Sequence, residues 1–136
     1  MSDETTETAH RILDSYRVFA VVGASPDPGR ASQGVMRTLR DHGYRVIPVN
    51  PNCDEVLGEK AYPDLASIPD EEGVEVVDLF RRPELVDPHV GEAIEVGAKA
   101  VWMQLGVVNE AAAERAREAG LDVVMDRCPA IELRRR

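Results

Sequence analysis

Three arginines placed just beyond apolar runs carry most of the chemistry this sequence offers. Arg30 closes the loop that begins at Gly23, and Arg81 and Arg82 follow Phe80 directly. A guanidinium can give two parallel N–H bonds to one phosphate, so arginine suits a phosphate held in a fixed place. The loop before Arg30 reads Gly23, Ala24, Ser25, Pro26, Asp27, Pro28, Gly29, and Ala31 and Ser32 follow. Such small residues let backbone approach a ligand and present N–H groups at the start of a helix, which is an anion-binding geometry. Ser25, those amides, the arginines and Pro51 as an apolar platform together suit an adenine nucleotide carrying extra phosphate.

Two commoner phosphate motifs do not fit. The dinucleotide fingerprint needs a second glycine two residues after the first, where Ser25 stands, and an acidic residue after the next strand, where Asn50 and Pro51 stand. The P-loop needs a lysine and a hydroxyl after its last glycine, where Arg30 and Ala31 stand. The remaining reactive residues are scattered. His10, His42 and His89 have no ligand spacing, and His42, beside Gly43 at a helix end, and His89, read as exposed, are expected to be structural. Cys53 and Cys128 match no CxxC pattern. Cys128 lies near the expected ligand edge and reads first as a small buried residue, whereas Cys53 on a loop tip reads as the more reactive thiol. Asp126, Arg127 and Glu132 suggest a local ion pair, and Trp102 a core or subunit contact. No nucleophile, base and orienting group are placed together by the sequence.

The elements that would position these residues alternate regularly. Apolar runs at 18–22, 44–49, 74–80, 100–105 and 121–126 read as five strands, the first an unbroken run of the kind buried on both faces. Helical patterns occupy 2–16, 32–42, 83–97 and 109–119, with Asn109 as an N-cap and Gly43 and Gly120 as stops. The first nine residues are candidates for disorder. Residues 53–72 read as irregular with a short helix near 64–68, and Pro48 marks its strand as an edge. Strands alternating with single helices imply right-handed parallel crossovers. The expectation is an α/β, Rossmann-like, three-layer fold with a five-stranded parallel sheet and helices on both faces, its ligand beyond the carboxyl ends of the strands.

The chain has 136 residues, which suits a single domain over 1–136. A net charge of -9 argues against nucleic acid as a partner, because a phosphate backbone calls for a basic stripe. No run is long enough to cross a bilayer and the N-terminus is acidic, so a cytoplasmic protein with reduced thiols and no membrane partner is expected. An isologous homodimer is the commonest assembly for such a chain.

The segments VVGAS, PGRAS, YRVIPVNP, VDLFRRP, AVWMQLGV and VVMDRCP resemble, in order and spacing, the small stand-alone CoA-binding proteins. These are similar to the CoA-binding N-terminal domain of the succinyl-CoA synthetase alpha subunit. The resemblance runs from about Arg11 to Glu132 and implies that coenzyme A is the cofactor. It places the CoA phosphates near Gly23, Ala24, Ser25, Arg30 and Ser32, and the adenosine end near Asn50 and Pro51. Phe80, Arg81 and Arg82 follow from the third strand, and Met103, Gln104 and Gly106 from the fourth, toward the pantetheine arm. Cys53 stands where the synthetase has a lysine, and the chain has no room for the synthetase's phosphohistidine domain. The functional expectation is therefore a non-catalytic module that binds CoA or a short acyl-CoA. The alternatives are an NAD(P)-binding oxidoreductase-like protein and a subunit of an acyl-CoA ligase complex. Thiol chemistry between Cys53 or Cys128 and CoA is a third.

Overall fold

The computed structural model describes residues 4–135. Its centre is a five-stranded parallel sheet made of β1 (Val18–Val22), β2 (Arg45–Val49), β5 (Val76–Leu79), β6 (Ala100–Met103) and β7 (Asp122–Val124). The strand order is β2-β1-β5-β6-β7. The chain first steps outward from β1 to β2, then returns past β1 to β5, so the order reverses between β1 and β5 and opens a crevice above their carboxyl ends. This is the Rossmann-like three-layer α/β fold expected from the alternation of strands and helices.

Helices cover both faces because the strands are largely apolar on both sides. Helices α1 (Glu4–Ser15), α2 (Ala31–Asp41) and α5 (Pro129–Arg134) pack on one face, where Ile12, Leu13, Met36 and Leu39 meet Phe19, Val21, Val76 and Trp102. On the other, α3 (Asp87–Glu95) and α4 (Glu110–Glu118) bring Val90, Ala93, Ala112 and Ala116 against Val77, Leu79, Val101 and Met103. Completely burying a side chain such as Phe19 stabilises the fold by about 1.5–3 kcal/mol. Its ring also meets Tyr44 edge-on at 5.3 Å, and the Tyr44 hydroxyl donates to the Leu13 carbonyl at 2.6 Å, tying α1 to the start of β2.

Several details differ from the sequence reading. Residues 4–9, expected to lack fixed structure, form the first half of α1, held by Ala9 against the core; residues 1–3 lie outside the described residues. The irregular stretch contains a small antiparallel hairpin, β3 (Glu55–Val56) and β4 (Glu59–Lys60), turned by Leu57 and Gly58, both at positive φ. The helix expected from Pro83 breaks into a 3-10 turn, Pro83–Leu85, and then α3, and residues 129–134 form α5, which the sequence reading lacked. Pro48 does lie on an edge strand. Its carbonyl accepts from Tyr62 N at 3.0 Å on the outer side, so its missing N–H costs the sheet no internal bond.

Candidate functional site

The crevice at the strand reversal is a cavity of about 770 Å³. Its floor is set by Gly23, which leaves β1 with φ +88° and donates its N–H to the Val49 carbonyl at 3.0 Å. A Cβ at this position would lie 2.3 Å from the Phe80 carbonyl oxygen, so the first turn of the loop passes against the end of β5 with room only for hydrogen. The loop then holds itself in shape. Asp27 N donates to Ser25 Oγ at 3.1 Å and Gly29 N to Asp27 Oδ1 at 2.9 Å, while Gln33 Nε2 reaches back to the Ser25 carbonyl at 3.2 Å. These bonds deliver the chain to α2, whose N-cap Arg30 makes no side-chain cap bond. Gln33 N donates to the Arg30 carbonyl at 3.1 Å, so among the described residues the N–H groups of Ala31 and Ser32 are the first-turn amides without a protein acceptor, at the helix end where the dipole favours negative charge.

The neighbouring strand ends are tied to this loop and to each other. Asn50, after β2, donates from Nδ2 to the Ala24 carbonyl at 2.7 Å and accepts Asn52 N on Oδ1 at 2.8 Å. Asn109 Nδ2 donates to the Pro83 carbonyl at 2.9 Å, which joins the segment after β6 to that after β5. Asp126, held at φ +58°, accepts Gly106 N at 2.7 Å, which joins β6 to β7. Trp102 Nε1 donates to the Arg127 carbonyl at 2.9 Å from a fully buried ring, placing Trp102 in the core.

Of the residues singled out in the sequence, Gly23, Ala24, Ser25, Arg30, Ser32, Asn50, Pro51, Phe80, Arg81, Arg82, Gln104 and Gly106 all line the cavity. Met103 does not. It is fully buried in the core under α3 and α4, because the register that points Trp102 to one face points Met103 to the other. His89, expected to be exposed, is instead a half-buried part of the cavity wall, with Nδ1 2.9 Å from Glu92 Oε1. Cys128 also lines the cavity at 7 % exposure, whereas Cys53, on the loop after β2, is half-buried against the core and outside the lining. Pro63 and Val107, further wall residues, carry no sequence signal that marks them; only the fold brings them there.

The electrostatics of the wall are one-sided. It contains Arg30, Arg81, Arg82 and His89 and no carboxylate, although the chain holds 25 acidic residues against 16 basic ones. Arg82 has only a long contact, 3.6 Å to Glu84, between two exposed side chains, and no ion pair engages Arg30 or Arg81 among the described residues. Two carboxyl groups are buried outside the cavity lining. Glu132 on α5 stands 3.3 Å from His10 Nε2, without hydrogen-bond alignment, and 3.6 Å from Arg135. Asp78 in β5 has neither: both oxygens are fully buried without a partner, and desolvation pushes its carboxyl well above the usual range. The described residues hold no group of three or more His, Cys, Asp or Glu that could bind a metal.

A parallel α/β sheet whose switch point opens into an arginine-rimmed crevice with no carboxylate in its wall has the charge and the place that suit an anionic ligand. Comparison with known proteins is more particular. Residues 17–134 match the CoA binding domain family, and the chain belongs to that family. It is 38% identical over 128 residues to protein YneT of Bacillus subtilis (strain 168), covering 94% of this chain and 93% of that one. A solved protein of Pyrococcus horikoshii OT3 superposes with a TM-score of 0.92 at 45% identity, covering 99% of this chain and 96% of the other. The ADP-forming acetate–CoA ligase of Methanocaldococcus jannaschii is 33% identical over 82 residues, 60% of this chain and 11% of the ligase.

Proposed function

We propose that this protein binds coenzyme A or a short acyl-CoA in the crevice between β1 and β5, without turning it over, as one binding unit acting in the cytoplasm. The observation that carries the reading is the wall of three arginines with no acid, on a chain whose surface is otherwise rich in carboxylates. In that reading the phosphates sit against Gly23, Ala24, Ser25 and Ser32 with Arg30 over them. The adenosine end lies toward Asn50 and Pro51, with Arg81 and Arg82 available to a further phosphate. The arm runs past Gln104 and Gly106. Met103 is excluded from direct contact by its burial. None of the described helices is long and apolar enough to cross a membrane.

Calorimetric titration with CoA, 3'-dephospho-CoA and NAD tests this reading. CoA should bind most tightly, dephospho-CoA more weakly through the loss of one arginine contact, and NAD weakest, since no acid follows β2 to take a ribose diol. Tight NAD binding with none for CoA would overturn it. The ligase relative supports a second reading, a CoA-holding subunit of an acyl-CoA ligase assembly, which differs in requiring a stable partner chain. Size-exclusion of the protein from its native host, read for co-elution with a ligase subunit, separates the two.

A further inference from the structure

The carboxyl ends of the strands form a track across the sheet. Asn50 follows β2, Gly23 follows β1, Phe80 follows β5, Gln104 follows β6, and Cys128 lies past the end of β7. Neighbouring strands are about 4.8 Å apart, so this row spans roughly 19 Å over four spacings. A nucleotide that enters with its base at the β2 end and extends along the row brings the tip of its arm to the β6–β7 end. For CoA, that tip is a thiol.

Two side chains at this end are otherwise unexplained. Gln104 is 6 % exposed and lines the cavity, and its Oε1 is fully buried with no hydrogen-bond partner. A buried acceptor left empty costs about 1–3 kcal/mol, so its presence points to a donor supplied by the ligand. The arm of CoA carries amide N–H groups of that kind. Cys128 lines the same cavity as a free thiol, whereas Cys53, also free, stands outside the lining.

We infer that Cys128 is a site of reversible mixed-disulfide formation with the thiol arm of the bound ligand, Gln104 holding that arm in line; this rests on the CoA reading above. The reactant is the oxidised ligand, CoA disulfide. The Cys128 sulfur, giving up its proton, attacks one sulfur of the CoA disulfide. The bond between the two CoA sulfurs breaks, a bond from Cys128 to one CoA forms, and the second CoA leaves as a thiolate that takes up a proton. Disulfide is exchanged for disulfide and no further oxidant is required. The protein would thereby store CoA in a form that a cellular thiol releases.

The test uses the full chain, reduced and desalted, incubated with CoA disulfide and read by intact mass under non-reducing conditions, with peptide mapping of the adduct. A single CoA adduct is expected on Cys128, removed by reductant. It should form about tenfold faster or more than the glutathione adduct formed with glutathione disulfide, because binding raises the local concentration of the reacting sulfur. Acetyl-CoA, whose sulfur is blocked, should compete and slow labelling. Cys53→Ser should label as the parent does, and Cys128→Ser should not label; mapping on the unaltered chain gives the same answer without relying on either variant. An adduct on Cys53, equal rates with the two disulfides, or no adduct in a protein that binds reduced CoA by calorimetry would each overturn the inference while leaving the CoA reading in place. Absence of CoA binding in that calorimetry would overturn the reading itself.

Discussion

The two ends of the parallel sheet treat charge in opposite ways. At the amino end, Arg45 at the start of β2 meets Glu59 at 2.5 Å and Glu72 at 3.4 Å, which raises its pKa, chiefly through the hydrogen bond to Glu59. Arg11 meets Asp122 at the start of β7 at 2.7 Å, and Glu75, just before β5, accepts the backbone N–H groups of Arg17 and Val18 at 2.9 and 3.2 Å. At the carboxyl end, Arg30 and Arg81 face a crevice with no acid in its wall. A chain rich in acids thus pairs its arginines at one end and keeps carboxylates out of the crevice wall at the other, a distribution that suits the anionic ligand proposed above. In that wall the pairs are confined to His89 with Glu92 and the long Arg82–Glu84 contact, and Arg30 and Arg81 have none among the described residues.

Substitutions at the two ends should separate these roles. The largest effect is expected at Gly23. Gly23→Ala places a methyl group against the Phe80 carbonyl at positive φ and should cost about 3 kcal/mol or more in denaturant unfolding. Gly73→Ala, before β5 at the amino end, has φ +65° but nothing within 4 Å of the added carbon, so about 1–2 kcal/mol is expected. Equal costs would mean that the close approach of the loop to β5 is not a constraint.

Asp78 lies between the two ends, in register with Val21 and Trp102. Its carboxyl is raised in the folded state, so folding favours the protonated form. Stability is then full below the unfolded carboxylate range near pH 4 and falls as pH rises toward the folded value, by about 1.4 kcal/mol per pH unit. Asp78→Asn removes this slope. The variant should be more stable than the parent at pH 7, with the gap closing toward pH 4 in denaturant series at each pH. A gap that stays constant with pH would show that the carboxyl does not titrate against folding.

Arg30→Ala should weaken CoA binding by about 1–3 kcal/mol in calorimetry, the usual loss of a charged hydrogen bond, with little change in melting. Unchanged affinity would remove Arg30 from the site. The smallest effect is expected from Arg45→Ala. It loses exposed ion pairs worth up to about 1 kcal/mol in unfolding and leaves CoA affinity untouched. If CoA affinity fell with it, the contrast between the two ends would fail.

The sheet was readable in the sequence because each strand is a short apolar run ended by glycine or a polar break, as Val18–Val22 is by Gly23. That the loop residues from Gly23 to Ser32 come to one cavity was legible from their place between a strand and a helix, since such loops gather at the carboxyl ends of a parallel sheet. Met103 was misplaced because AVWM is apolar throughout. Only pairing with β5 decides which face each residue takes. The β3–β4 hairpin was hidden because Leu57, not the asparagine or aspartate that favours such turns, holds the first left-handed position. His89 reaches the wall through the packing of α3 on the sheet, which local pattern does not encode. The unpartnered state of Asp78 is a property of its neighbours in space and could not be read from VVDL.

Asn50 limits what this pocket could become. A dinucleotide site needs an acid at the end of the second strand, and the simplest change toward one is Asn50→Asp. Aspartate has no N–H to give the Ala24 carbonyl, so the change would set two acceptors face to face and leave the bond from Gly23 N to the Val49 carbonyl to hold the first loop to β2. The side chain that ties the loop thus occupies the position where a dinucleotide site carries its acid. A variant carrying Asn50→Asp would need a second change to restore the lost tie to Ala24.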